Sequence, residues 1–173
     1  GGQISVESKK GTGSTFDVLL PLQRAAQEPD RTEAARLPEL SVLIVDDDPV
    51  TCEHTGSLLR EIGVSAQWVS SGEEALKRIE EQYRKDSPFD IAIIDWKMPK
   101  MDGMETVRRI RKQFGRELLV IIMSAYDWSE IEREAHLSGV DLFLAKPIFR
   151  NHIRRVLEQA ANLEAKLPGK APK

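Results

Sequence analysis

The sequence predicts an α/β fold, a doubly wound parallel sheet of five strands built from five β/α units. Three observations predict it. From residue 41 onward, short apolar runs alternate with segments carrying helix start and stop signals. The runs are continuously apolar rather than alternating, as expected of strands covered by helices on both faces. Several of them end on a polar or charged residue, and a parallel sheet gathers such strand ends along one rim.

The elements follow in order. Residues 1–22 read as a hairpin: Ile4 and Val6 alternate with polar residues, "KKGTGS" turns, and Phe16, Val18 and Leu20 alternate again. Two strands alone are marginal in water, so this piece is expected to belong to something larger. Residues 23–40, with Pro29 and Pro38 and no sustained apolar face, read as a linker with a helical turn around Thr32 to Arg36. "SVLIVDDD" is a strand meeting acids. A helix follows over 49–62, with Pro49 at its first position and Gly63 just past its end. "VSAQWVS" is the next strand, and Ser71 with Glu74 forms a capping box for a helix running to about Tyr83. "DIAIID" is a strand, followed by a loop and a helix from about Gly103 to Phe114, capped by Asp102. "LLVIIMS" is the fourth strand, and Trp128 to Leu137 a helix stopped near Gly139. "VDLFLA" is the fifth strand. The last helix, about 149–163, sets Ile153, Val156, Leu157 and Ala160 on one face. Residues 164–173 read as a flexible tail.

Composition narrows the function. The chain has 173 residues, 40% apolar and 31% charged, which is ordinary for a globular domain. Its net charge of −3 argues against nucleic acid as a partner. The one cysteine, Cys52, excludes an intrachain disulfide and fits a reducing cytoplasm. No run approaches the ~18 apolar residues of a membrane span, and "GGQISVESKK" is not a signal peptide. The chain is therefore expected to be cytoplasmic, with a longer parent free to be membrane-anchored.

Asp46 and Asp47 close the first strand of the sheet, Asp95 the third, Ser124 the fourth and Lys146 the fifth. Three carboxylates gathered at one rim repel one another, and a small hard cation such as Mg²⁺, which prefers oxygen ligands, relieves the repulsion. Asp95 is then placed to act as a nucleophile toward a phosphoryl group, with Lys146 and the Ser124 hydroxyl holding its oxygens. Such a site transfers phosphoryl groups without a nucleotide, and neither GxxxxGK[ST] nor GxGxxG occurs in the chain.

Residues 41–163 resemble the receiver domain of two-component response regulators. The resemblance rests on the acid pair in "VLIVDDDP", the "DWKMPKMDG" loop, "IIMSAY" and "FLAKPI", in order and at these spacings. It implies a flavodoxin-like sheet with strand order 2-1-3-4-5. It also implies Asp95 as phosphoacceptor, and Asp46, Asp47, Asp95 and the backbone carbonyl of Lys97 as Mg²⁺ ligands. Ser124 takes the hydroxyl role, Lys146 contacts phosphate, and Phe143 falls at the aromatic switch. In such receivers the residues two beyond the acceptor and two beyond the hydroxyl tune phosphoryl lifetime; here they are Lys97 and Tyr126. The Lys146–Pro147 bond is expected to be cis. The implied partners are a histidine-kinase dimerisation and phosphoacceptor domain or a histidine phosphotransfer domain, docking near Val50, Thr51 and His54. Residues 1–22 resemble the last hairpin of a histidine-kinase ATP-binding domain. The parent is accordingly expected to be a hybrid sensor kinase, through which any homodimer would form.

Other residues have plainer readings. Asp48 is expected to cap the helix beginning at Pro49. His54, His136 and His152 lie on three different predicted helices with no metal-ligand spacing, and Cys52 and Trp68 read as packing residues. Trp96 and Trp128 lie next to the site. Two other function classes compete with a receiver. One is an Mg²⁺-dependent aspartyl-phosphate phosphatase, although the residues after Asp95 are Trp96 and Lys97, not the DxDx[TV] pattern. The other is a receiver-shaped interaction module that is never phosphorylated.

Overall fold

The computed structural model describes residues 2–22, 37, 39–125, 135 and 137–164. The chain separates into two units, Gly1–Arg36 and Leu37–Lys173. In the first, β1 (Gln3–Lys9) and β2 (Gly13–Leu19) pair antiparallel, with Ile4 opposite Val18 and Val6 opposite Phe16. The turn closes through a hydrogen bond from the Thr12 N–H to the Lys9 carbonyl (3.0 Å). These four apolar side chains share one face of the ribbon, and each is more than half exposed.

In the second unit, β3 (Ser41–Val45), β4 (Ser65–Val69), β5 (Ile91–Asp95), β6 (Leu119–Ser124) and β7 (Leu142–Ala145) form one parallel sheet in the order β4-β3-β5-β6-β7. Counted within the sheet, that is 2-1-3-4-5. Among the described residues, four helices have defined bounds: α1 (Pro49–Glu61), α2 (Gly72–Arg84), α3 (Gly103–Phe114) and α4 (Arg150–Glu164). The two-residue period of the strands splits the core in two. Leu43, Val45, Ala92, Ile94, Val120 and Ile122 pack with Ile79 of α2 and Met104, Val107 and Ile110 of α3. Val42, Ile44, Ile91, Ile93 and Ile121 pack with Cys52 and Leu59 of α1 and Ile153, Leu157 and Ala160 of α4.

Local chemistry sets the helix ends. The Asp48 carboxylate accepts the Val50 and Thr51 N–H groups, and Pro49 opens α1. Gly63, at φ 81°, follows α1 in the left-handed region that glycine adopts freely. Asp102 accepts the Glu105 N–H at 2.7 Å. At α2, Ser71 accepts the Glu74 N–H as the capping box requires, but the Glu74 carboxylate bonds the N–H and hydroxyl of Ser70 instead of returning to Ser71. At the far end of α3, the Arg111 guanidinium bonds the Gly115, Leu118 and Gly139 carbonyls and the Asp141 carboxylate, tying α3 to the starts of β6 and β7.

Three details differ from the sequence reading or extend it. Leu37 and Leu40, placed in the linker, pack on the core face shared by α1 and α4, Leu40 buried and Leu37 half-buried, and the apolar surface they cover favours holding the segment there. Trp68 is 44% exposed because β4 is the edge strand. The expected helix Trp128–Leu137 lies mostly outside the described residues, of which Ala135, Leu137 and Ser138 are helical. The helical turn expected around Thr32 to Arg36 also lies outside them, as do Tyr126, Trp128, His136 and the tail. Among the described residues, no helix is long and apolar enough to cross a membrane.

Candidate functional site

The site lies at the carboxyl ends of β3, β5, β6 and β7. Asp46 follows β3 directly and is buried; its N–H continues the ladder to the Val69 carbonyl (3.3 Å). Asp47, next in the chain, is exposed. Asp95 is the last residue of β5 and is 7% exposed. Oxygens of Asp46, Asp47 and Asp95 all lie within 4.8 Å of one another. The sequence thus assembles three carboxylates from strands separated by an intervening β/α unit.

Lys146 answers part of that charge. Its ammonium donates to Asp46 Oδ2 and stands as close to Asp95 Oδ1, at 2.7 Å in each case. Its own N–H donates to the Ser124 carbonyl at 2.8 Å, so pairing between β6 and β7 continues one step and delivers the lysine to the acids. The Lys146–Pro147 peptide is cis, as the sequence reading expects. Ser124 ends β6 and is buried, one position past the residue opposite Asp95. Phe143, in β7 opposite Ile122, is half-buried against the core face of α2 and α3.

The remaining carboxylate oxygens are held by backbone. The Asp48 N–H donates to Asp46 Oδ1 (2.9 Å), and the Lys97 N–H donates to Asp95 Oδ2 (3.1 Å). Beyond Lys97 the loop turns tightly, with Lys100 at φ 67° and the Met101 N–H reaching back to the Pro99 carbonyl (2.9 Å). It ends where the Gly103 N–H donates to the Trp96 carbonyl at 2.8 Å. A Cβ at Gly103 would lie 2.3 Å from the Asp95 carbonyl oxygen, so glycine alone lets α3 start this close to the acid.

Electrostatics follow from this packing. Burial pushes the Asp95 carboxyl above its ordinary range, and the charge of Asp46 adds to the rise, against the pull of the Lys146 ammonium. Burial also opposes the charge on Lys146, but its hydrogen bonds to Asp46 and Asp95 outweigh this and carry its pKa upward. Burial and the Asp46 charge raise the Cys52 thiol to about 11, which leaves it protonated and unreactive, consistent with a packing role. The donor set suits a hard divalent cation: three carboxylates, oxygen throughout, with no sulfur or imidazole in the cluster.

Every described residue expected at the site is therefore at this rim, with Phe143 in the adjacent strand. Tyr126 lies outside the described residues. Two contacts escaped the sequence reading. The Lys97 ammonium stands 4.7 Å from the centroid of the Trp96 ring, and His54 Nε2 lies 3.3 Å from the Ile148 carbonyl. The first joins chain neighbours and was open to notice; the second spans 94 positions and leaves no sequence signal.

Comparison with known proteins agrees with this architecture. The chain is 32% identical over 145 residues to the sensor histidine kinase GacS of Pseudomonas protegens, covering 82% of this chain and 15% of that protein. It is 32% identical over 164 residues to the sensor protein EvgS of Escherichia coli K12, covering 91% of this chain and 13% of that protein. The chain thus spans a small part of the length of these relatives. Among solved structures, the receiver domain of sensor histidine kinase PA1611 from Pseudomonas aeruginosa PAO1, with a magnesium ion in its active site cleft, superposes with a TM-score of 0.63. That likeness is at 27% identity and covers 72% of this chain and 98% of the other. The family description "Response regulator receiver domain" matches residues 42–158. Because that match opens in β3 and closes in α4, it takes in every strand of the parallel sheet, and the chain belongs to the response regulator receiver domain family.

Proposed function

We propose that this receiver takes a phosphoryl group from a phosphohistidine onto Asp95, as one step of a phosphorelay. The observation that carries the reading is the single ammonium of Lys146 set 2.7 Å from both Asp46 and Asp95, beside a third carboxylate. In the transfer, an Asp95 carboxylate oxygen bonds to phosphorus while the bond from phosphorus to the donor imidazole nitrogen breaks, and that nitrogen keeps the electron pair. Asp46, Asp47, Asp95 and the Lys97 carbonyl would hold Mg²⁺. The ion, when bound, supplies positive charge for the phosphoryl oxygens. Lys146 stays cationic and pairs with a phosphoryl oxygen, and the Ser124 hydroxyl donates to another. The acyl phosphate carries more negative charge than the carboxylate it replaces, so Ser124 and Lys146 are drawn toward it and Phe143 turns inward behind them. Hydrolysis or onward transfer resets the site, at a rate tuned by Lys97 and Tyr126.

The donor is a histidine-kinase phosphoacceptor domain or a histidine phosphotransfer domain, docking over α1, where Val50 and His54 are exposed and Thr51 is half-buried. The parent is a hybrid sensor kinase, with residues 1–22 closing its ATP-binding domain, 23–40 as linker and 41–163 as receiver. This is supported by the match to EvgS, which runs over 164 residues and so extends beyond the receiver.

The test is labelling with Mg²⁺ and a small phosphodonor such as acetyl phosphate. One phosphoryl group per chain, labile to alkali and hydroxylamine as an acyl phosphate is, is expected, lost in Asp95→Asn and strongly reduced in Asp46→Asn with Asp47→Asn. Turnover of many phosphoesters would point to a phosphatase, and absence of label to an unphosphorylated interaction module. Either outcome overturns the proposal.

A further inference from the structure

We propose that His54 is a positioning residue, holding the turn after Lys146 against α1 and so fixing the base from which that ammonium reaches a phosphoryl oxygen. The proposal rests on the receiver reading above and deepens it. Residues 146–149 join β7 to α4, and Pro147 has no N–H with which to anchor them. On the near side of the turn, the Lys146 N–H donates to the Ser124 carbonyl at 2.8 Å. On the far side, the Ile148 side chain is buried with Cys52 and Ile153, and the Ile148 carbonyl lies 3.3 Å from His54 Nε2. A carbonyl oxygen only accepts, so Nε2 carries the proton of this bond. Lys146 is thus held by backbone before and after it, and His54 supplies the later hold from a different element.

The helix that carries His54 is itself tied to the acids. It begins at Pro49 under the Asp48 cap, and the Asp48 N–H donates to Asp46 Oδ1 at 2.9 Å. The Cys52 thiol donates to the Asp46 carbonyl at 3.3 Å. One helix therefore orders Asp46 and, through His54, the backbone of the lysine 100 positions away that pairs with it. To pair with a phosphoryl oxygen, the ammonium must leave its seat 2.7 Å from both Asp46 and Asp95. With the turn held, only the side chain moves; with the turn free, the backbone drifts too, and a misplacement of about 1 Å slows the reaction.

The experiment uses the 173-residue chain. The rate of labelling by acetyl phosphate and Mg²⁺ is followed, a donor too small to dock on α1, so that positioning is read apart from partner binding. His54→Leu is expected to take label about threefold more slowly than the parent, the scale of one hydrogen bond. His54→Gln, whose amide can donate to the same carbonyl, is expected to stay near the parental rate. On a Lys146→Met background, His54→Leu is expected to cause no further slowing, because both changes act on the same group. In the metal-free parent chain, imidazole nitrogen NMR is expected to find the proton of the neutral His54 ring on Nε2, a readout that needs no variant to fold. His54→Leu labelling at the parental rate, His54→Gln labelling as slowly as His54→Leu, a further threefold loss on the Lys146→Met background, or a neutral-ring proton on Nδ1 would each overturn the proposal. If the parent chain takes no label, the receiver reading itself falls, and this inference with it.

Discussion

Asp95 shows how one residue carries opposing demands. To attack phosphorus it must be ionised, yet burial in the rim of the sheet and the neighbouring Asp46 charge raise its pKa above the ordinary carboxylate value. The folded chain therefore holds the Asp95 proton more tightly than the unfolded chain does. Between the two pKa values the folded state binds more protons, and stability falls as pH rises through that window. At neutral pH the ionised acid is a standing cost to the fold. Asp95→Asn removes that cost and retains an oxygen that can accept from Lys146. In metal-free buffer the variant is expected to melt above the parent chain at pH 7, with the gap closing as pH falls below the carboxylate range. Thermal unfolding at pH 7 and at pH 3 to 4 checks this, and a variant that melts at or below the parent at pH 7 contradicts it. The positions of the acids were legible in the sequence because each terminates an apolar run. The ion pair between Lys146 and Asp46 spans 100 positions and became visible only once sheet order was known.

The elements around the site are set by caps and by close approach, and these two were not equally legible. Asp48, Ser71 and Asp102 could be read as caps because an N-cap needs a particular side chain at a particular offset. The demand on Gly103 could not, because Asp-Gly ahead of an apolar run reads equally well as a turn. Only the structure shows the Asp95 carbonyl oxygen at 2.3 Å and the Trp96 Cα at 2.9 Å from where a Cβ would stand. Both atoms are backbone and cannot rotate away. Gly72, at the start of α2, is crowded instead by side chains, the Thr106 hydroxyl at 2.2 Å and the Met101 sulfur at 2.9 Å, which can turn aside. Gly103→Ala is therefore expected to cost about 3 kcal/mol and Gly72→Ala about 1 kcal/mol, the upper and lower ends of the overpacking range. Urea unfolding of the two variants measures both values. A smaller loss for Gly103→Ala would mean that α3 can back away from β5, and that its start does not fix the Asp95 loop.

At the scale of the molecule, the two units differ in kind. The parallel sheet is covered on both faces, with Ile91, Ile93 and Ile94 of β5 fully buried, so its amides should open only with global unfolding. The hairpin of β1 and β2 has a single apolar face, and Ile4, Val6, Phe16 and Val18 on it are 70%, 56%, 68% and 59% exposed. A two-stranded ribbon without a covered face does not bury enough to offset the entropy of ordering its backbone. Amide hydrogen exchange of the 173-residue chain is therefore expected to show little protection over residues 3–9 and 13–19 and near-global protection over 91–94. The alternation that identified this hairpin says which face must be buried but not what buries it, since that requires polypeptide with a complementary apolar surface. In the hybrid-kinase reading, the rest of an ATP-binding domain provides that surface. Hairpin amides protected as strongly as those of β5 would mean that the face is already covered within this chain, and residues 1–22 would then lose the physical argument that assigns them to a larger kinase domain.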